Sequence, residues 1–345
     1  MIQNFYIFGT GRSGTTLLQS ILDAHTAIAV PPESYLVLHL DKKYKGVTNW
    51  SEAVISKFID DLYTDRPFRL VWRVPRRNVE EAFELAAPVQ NFEHACNVVR
   101  SSFQESYRAK SISCFGDKKP LNSLFADRVI AVSPTAKIIH LVRDPRGTGN
   151  GQINTFKRRD ALLVGHSWAN QNRAILALKE KYPQRYFLLK YEDLVIHTEQ
   201  TIRDTCAFLG LEFQPKMLID YRTSTTKRFD QYTEQYKDKH LSLLEPIDPK
   251  IANKWKTKLL PKHRKRIEIA THSVAAMLGY DFEKPNMNFG MAIWWPISKF
   301  RAFLRLSVLR IYFAVPFAVR KFILQIRSKR GDHKYLLKDE KKVTV

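Results

Sequence analysis

The residues from Gly9 to Thr16 (GTGRSGTT) have the types and spacing that hold a phosphate. Where a glycine-rich turn joins a strand to a helix, backbone N–H groups converge and the helix N-terminus adds positive potential. Arg12 brings a guanidinium to the same place. Gly9 and Gly14 fit the GxxxxGK[ST] pattern of nucleotide loops, but Thr15 stands where that pattern has lysine. That lysine is the group that reaches the β- and γ-phosphates, so the loop argues against an ATPase or kinase and for a donor lacking a γ-phosphate. The chemistry that fits is nucleotide-dependent group transfer.

The elements that must position this loop are legible around it. Phe5 to Phe8 is a continuous apolar run ending at Gly9, as in a parallel strand buried on both faces. Leu17, Leu18, Ile21 and Leu22 then repeat at helical spacing. Further strands are expected at Lys137 to Val142 and Tyr186 to Leu189, each followed by helix-like sequence. This alternation predicts an α/β fold with three layers, a P-loop-type parallel sheet flanked by helices. The region 35–115 reads as a mainly helical insertion shaping an acceptor site, with helices at 79–87 and 92–107. Helices over 202–209 and 262–278 are expected to stop at Gly210 and Gly279.

The 345 residues, 44% of them hydrophobic, suffice for one large domain, drawn here over 1–290, plus an appendage. A net charge of +22 calls for an anionic partner, and charge alone does not choose among nucleic acid, a membrane surface and a small polyanion. Cys96, Cys114 and Cys206 lie far apart, without metal-ligand spacing, so neither a zinc site nor a disulfide framework is expected. Nothing near Met1 resembles a signal peptide, which gives a cytoplasmic expectation. From Ile297 onward there are thirteen Lys or Arg against three Asp or Glu. The apolar stretch 302–326 is interrupted by Arg305, Arg310, Pro316, Arg320 and Lys321. A spanning helix needs ~20 residues with few charges, so 291–345 reads as a basic amphipathic helical tail lying on an anionic membrane surface. The competing reading is a basic helix packed on the domain or on a second copy in a homodimer.

The motifs resemble a family: sulfotransferases that use 3'-phosphoadenosine 5'-phosphosulfate (PAPS). Arg12 to Thr16 with Leu17 and Leu18, then Leu22, His25 and Pro32-Glu33-Ser34, look like its 5'-phosphosulfate loop, the following helix and an acidic motif. Ile138 to Arg146 looks like the strand and turn that bind the 3'-phosphate. Tyr191 to Leu194 running into Phe208-Leu209-Gly210, and Asn253-Lys254-Trp255 with Leu278-Gly279-Tyr280, resemble two more shared blocks. The spacing is closest to the tyrosylprotein branch and its bacterial relatives.

The resemblance implies Arg12, Ser13, Gly14, Thr15, Thr16, Arg143, Tyr191 and Lys254 as donor-binding residues, PAPS as co-substrate, and no metal. Arg143 follows a strand, where a guanidinium can pair with a terminal phosphate. The family's serine eight residues later is here Gly151, and with Gly147 and Gly149 it weakens the expected helix. A hydroxyl attacking sulfur needs a base within reach, and Glu33 occupies the place of the catalytic glutamate. Gly116-Asp117-Lys118-Lys119-Pro120 resembles an Asp-Lys-x-Pro segment. Lys118 would neutralise charge on the bridging oxygen, with Lys119 as its solvated neighbour. His140, His94 and His166 rank below Glu33 as bases.

These readings give transfer of a sulfuryl group from PAPS to an acceptor hydroxyl on a glycan or lipid. The alternatives are a protein-tyrosine sulfotransferase and a catalytically inactive nucleotide-, lipid- or nucleic-acid-binding protein. No nucleic-acid partner is expected on the first reading.

Overall fold

The computed structural model describes residues 2–65, 68–103, 111–156, 160–229, 243–283 and 285–331. Strand β1 (Gln3–Phe8) leads through the glycine loop into α1 (Thr15–Asp23) and the two-residue β2 (Ile28–Ala29). The insertion follows as α2 (Leu36–Tyr44), α3 (Glu52–Leu62), α4 (Arg76–Leu85) and α5 (Phe92–Ser101); the end of the expected helix at 104–107 lies outside the described residues. Then come β3 (Cys114–Lys118), α6 (Ala126–Ile130), β4 (Lys137–Val142), α7 (Pro145–Phe156), α8 (Ala161–Lys181) and β5 (Tyr186–Lys190). The chain continues as α9 (Tyr191–Ile196), α10 (Thr198–Leu209), α11 (Met217–Phe229), α12 (Trp255–Lys258) and α13 (Pro261–Met277). It ends with α14 (Phe289–Ala314) and α15 (Phe317–Gly331).

The five strands form one sheet in the order β2-β3-β1-β4-β5, with every pairing parallel. β1 alternates its side chains between two cores. Tyr6 and Phe8 enter the layer built with the insertion helices and α6, while Phe5 and Ile7 enter the layer built with α1, α9, α10 and α11. Burial on both faces is why this strand has no polar alternation. Since β1 sits between β3 and β4, the crossovers diverge at its C-terminal end, the switch point where parallel sheets leave a crevice.

Gly210 and Gly279 close α10 and α13 in the left-handed region, as expected. The glycines of α7 do not prevent a helix there: Ile267 packs where a side chain on Gly149 would lie, so tertiary contact outweighs propensity. Residues 289–331 are helical and docked on the domain. Arg320 of α15 is fully buried and donates to the Leu38 carbonyl at 2.7 Å, Lys321 pairs with Asp61 at 2.9 Å, and Arg128 donates to the Phe313 carbonyl at 2.5 Å. No single helix among the described residues is long and apolar enough to cross a membrane, and α14 and α15 meet at a bend of 111°. Residues 332–345 lie outside the described residues.

Candidate active site

The C-terminal ends of all five strands converge on one cleft of 780 Å³, a size suited to a nucleotide-sized ligand with room beside it. β1 delivers the glycine loop, β2 the segment carrying Glu33, β3 Lys118, β4 Arg143 and β5 Tyr191. Of these, Arg12, Gly14, Thr15, Thr16, Glu33, Arg143 and Tyr191 line the cleft.

The loop is held by its own backbone. Ser13 donates both its N–H, at 3.1 Å, and its hydroxyl, at 2.7 Å, to the Thr10 carbonyl. Ser13 is fully buried, so its side chain shapes the turn and does not line the cleft. Gly14 has φ +95°, and a Cβ there would run into the Tyr191 ring; glycine satisfies both the left-handed turn and the close approach. Gly14 is also the N-cap of α1 and offers no side-chain cap, which leaves the helix's first N–H groups for an anion.

Glu33 is fixed through its neighbours. Gln19 donates to the carbonyls of Val30 and Pro31 at 3.1 and 2.8 Å, and the Trp72 indole donates to that of Pro32 at 2.8 Å. Two prolines stiffen this link, so the carboxylate is presented on a rigid arm. The Lys118 ammonium donates to Glu33 Oε1 at 2.6 Å and to Thr16 Oγ1 at 3.2 Å, joining the phosphate loop to the carboxylate. Lys118 is 1% exposed, and burial pushes its ammonium below the ordinary lysine value, an effect that the Glu33 carboxylate opposes. The Glu33 side chain remains 24% exposed toward the cleft, so a ligand can reach it.

Lys119 differs from the solvated neighbour expected of it. It is buried, lines the cleft, lies 3.7 Å from Glu33 Oε2 and sits 4.0 Å over the Tyr35 ring. The cause is local: β3 ends and a 3-10 turn begins at Pro120, so consecutive lysines both reach the carboxylate. Tyr35 is itself tied to Asp65, whose carboxyl burial pushes up to about 6.

On the other side of the loop, Arg143 donates to the carbonyls of Arg12 at 3.3 Å and Ile251 at 3.0 Å and stacks 4.2 Å over Tyr191. Its Nε is buried with no hydrogen-bond partner among the described residues, an orphan donor at the edge of the cleft. Arg143 does not pair with Asp144, which is taken by Arg146 at 2.6 Å. Gly151 faces Arg12: a Cβ there would meet Arg12 Cβ at 3.1 Å and Nε at 3.5 Å. The Arg12 side chain thus passes over the position where the resemblance expects a serine. Arg12 has φ +73°, and burial and the neighbouring Arg143 both lower its pKa.

Lys254 is exposed and outside the cleft lining; its neighbour Trp255 takes the buried position, stacked 4.1 Å from the Arg146 guanidinium. The other late motif residues tie elements together: Tyr280 donates to Glu192 at 2.7 Å, and Glu192 accepts from the Asp144 N–H at 3.2 Å. None of the three rival histidines lines the cleft. His140 is enclosed by Tyr186 and Asn172, and burial pushes it down to about 4; His166 lies against Trp295 and is likewise near 4; His94 accepts from the Gln90 N–H on the insertion. Among the described residues no group of three or more His, Cys, Asp or Glu is placed to hold a metal ion.

Sequence reasoning missed one whole wall. Ala302, Arg305, Leu306 and Leu309 of α14 line the cleft opposite Leu121 and Leu124. No local signal marks them, since the contact joins segments far apart in the chain.

Comparison with known proteins agrees with this geometry. The sequence model of the sulfotransferase family matches residues 4–215. The chain is 22% identical over 303 residues to protein-tyrosine sulfotransferase 1 of Danio rerio, covering 83% of this chain and 74% of that protein. To the protein-tyrosine sulfotransferase of Drosophila melanogaster it is 25% identical over 227 residues, covering 62% of this chain but 39% of the relative. It spans 27% of an uncharacterized Aquifex aeolicus protein that it matches at 24% identity. Among solved structures, the sulfotransferase domain of the Synechococcus PCC 7002 olefin synthase superposes with a TM-score of 0.54 at 22% identity, covering 82% of this chain and 96% of that domain, which supports the fold. With a family match running over more than half its length, the chain belongs to the sulfotransferase family.

Proposed function

We propose that this chain transfers the sulfuryl group of PAPS to an acceptor hydroxyl carried by a lipid or glycan. The observation that carries the reading is the buried Lys118 ammonium bridging Thr16 of the phosphate loop and the Glu33 carboxylate. The acceptor oxygen forms its bond to sulfur as the bond from sulfur to the 5'-phosphate oxygen breaks. Glu33 takes the acceptor proton, and the products are a sulfate ester and the 3',5'-bisphosphate. Lys118 meets the charge that develops on the leaving oxygen. A bound donor gives Lys118 a second anionic partner; as the ammonium turns toward it, Glu33 is released to act as base. The leaving phosphate is a weak base and needs no further acid.

On this reading Arg143 and Arg12 hold the 3'-phosphate together, with Arg12 in the place of the usual serine. Arg143's orphan Nε and the approach of Arg12 to Gly151 support the assignment. Leu121, Leu124, Leu306 and Leu309 give the acceptor side an apolar wall, which favours a lipid over a free sugar. A tyrosine acceptor is the second reading, favoured by the names of the Danio and Drosophila relatives. The test is incubation with sulfur-labelled PAPS and fractionated cell extract, followed by mass spectrometry of the labelled product. Label in a lipid or glycan that disappears with Glu33→Gln supports the proposal. Label in protein tyrosine selects the second reading, and no transfer to any fraction refutes both.

A further inference from the structure

Helix α14 carries two apolar stripes on opposite sides. Ser298, Ala302, Leu306, Leu309 and Phe313 face the domain. Ile293, Ile297, Phe300, Leu304, Val308 and Ile311 are all exposed. The second set precedes the first by about two residues, which at 3.6 residues per turn is a rotation of roughly 200°. A helix lying on a domain normally turns polar residues outward, so the outer stripe is unexplained by packing. Lys299 and Arg310 stand on one flank of it, and Arg305 on the other, beside Arg301, which is paired with Asp160 at 3.0 Å. From 285 to 331 the chain has no Asp or Glu.

We infer that α14 is an interfacial helix: its outer stripe lies in an anionic bilayer while its inner face forms the acceptor wall of the cleft, so that the acceptor is a membrane-resident lipid entering beside Arg305. The inference rests on the proposed sulfuryl transfer and names its substrate class. Charge complementarity selects the occupant. Cations flanking an apolar stripe reach lipid phosphates while their stems cover the acyl boundary. A second copy of this chain would instead set one row of cations against another. The bend of 111° into α15, with Arg320 and Lys321 fixed to the insertion, prevents a straight span and keeps α14 flat on the surface. Arg305 and Leu309 link the two roles, because they line the cleft on the helix that touches lipid.

The test is co-sedimentation of the full chain with vesicles of phosphatidylcholine and phosphatidylglycerol, compared with phosphatidylcholine alone, for the wild type and for Phe300→Glu/Leu304→Glu. Binding of 3'-phosphoadenosine 5'-phosphate is measured by calorimetry on the same samples. The expected result is that the wild type partitions onto the anionic vesicles at least ~tenfold more than onto the neutral ones, and that the variant loses this while nucleotide affinity stays within ~twofold. Equal partitioning of wild type and variant overturns the inference, as does a wild-type dimer in sedimentation equilibrium that the variant dissolves. If the nucleotide fails to bind the wild type, the sulfotransferase reading falls, whatever the vesicles show.

Discussion

Lys118 and Glu33 are coupled, and removing them singly and together measures that coupling. Lys118→Met keeps the length of the stem and deletes the ammonium. Glu33 then loses its 2.6 Å bond, with Lys119 still 3.7 Å away. Deleting one partner of a fully buried pair costs ~3–5 kcal/mol; with Glu33 partly exposed and a second lysine nearby, about 2 kcal/mol is expected. Glu33→Gln strands a lysine that is itself wholly buried, and about 3 kcal/mol is expected. In Glu33→Gln/Lys118→Met neither charge remains to be desolvated. The double variant is therefore no less stable than the worse single, a coupling of about 2 kcal/mol. Turnover behaves differently. All three variants lose it by ~10²–10⁴-fold, because base and charge neutralisation both act in the transition state. Urea denaturation supplies the stabilities, and release of the 3',5'-bisphosphate supplies the rates. Stability costs that add within ~0.5 kcal/mol would show that the two groups are not paired. Turnover by Glu33→Gln within ~fivefold of wild type would remove Glu33 as the base.

Two further outcomes follow from the site and its scaffold. Gly151→Ser places a Cβ against Arg12, so affinity for the 3',5'-bisphosphate is expected to fall about tenfold, equivalent to ~1.4 kcal/mol, in calorimetry; tighter binding would mean that a serine serves this site better than Arg12 does. Burial holds His39 and His140 near 4 against an ordinary 6.5. Between those values the unfolded chain binds the proton and the folded one does not. Stability therefore falls as pH drops through that window, by up to about 3 kcal/mol per histidine. Urea midpoints at stepped pH check this, His140→Asn should flatten the slope, and a flat wild-type profile would contradict it.

What was legible in the sequence follows from which signals are local. β1 and β4 announce themselves because central parallel strands are buried on both faces, β5 is an apolar run although it lies at the sheet edge, and the loop after β1 is a contiguous motif. β3 was invisible as a strand. Its sequence CFGDK has little apolar run, and its place beside β1 depends on the Phe5 ring packing over Gly116. β2 is two residues long and carries no periodic signal. Motifs point to Glu33 and Lys118, whose side chains lie 2.6 Å apart, whereas for Lys119 residue type predicts solvent and the turn at Pro120 decides otherwise. Lys254 matches its motif and is exposed, while Trp255 takes the buried place. The tail was readable as a basic apolar helix. Its role as a wall of the cleft was not, since that depends on docking against α8 and the turn after β3, far away in sequence.

Every role proposed for the cleft depends on the donor it binds. The direct measurement is calorimetric titration of the full chain with 3'-phosphoadenosine 5'-phosphate and with ATP, repeated on Arg143→Ala. The bisphosphate is expected to bind at least ~tenfold more tightly than ATP, and Arg143→Ala to remove most of that preference. Equal or tighter binding of ATP, or a preference untouched by Arg143→Ala, would rule out PAPS as the donor held by this cleft.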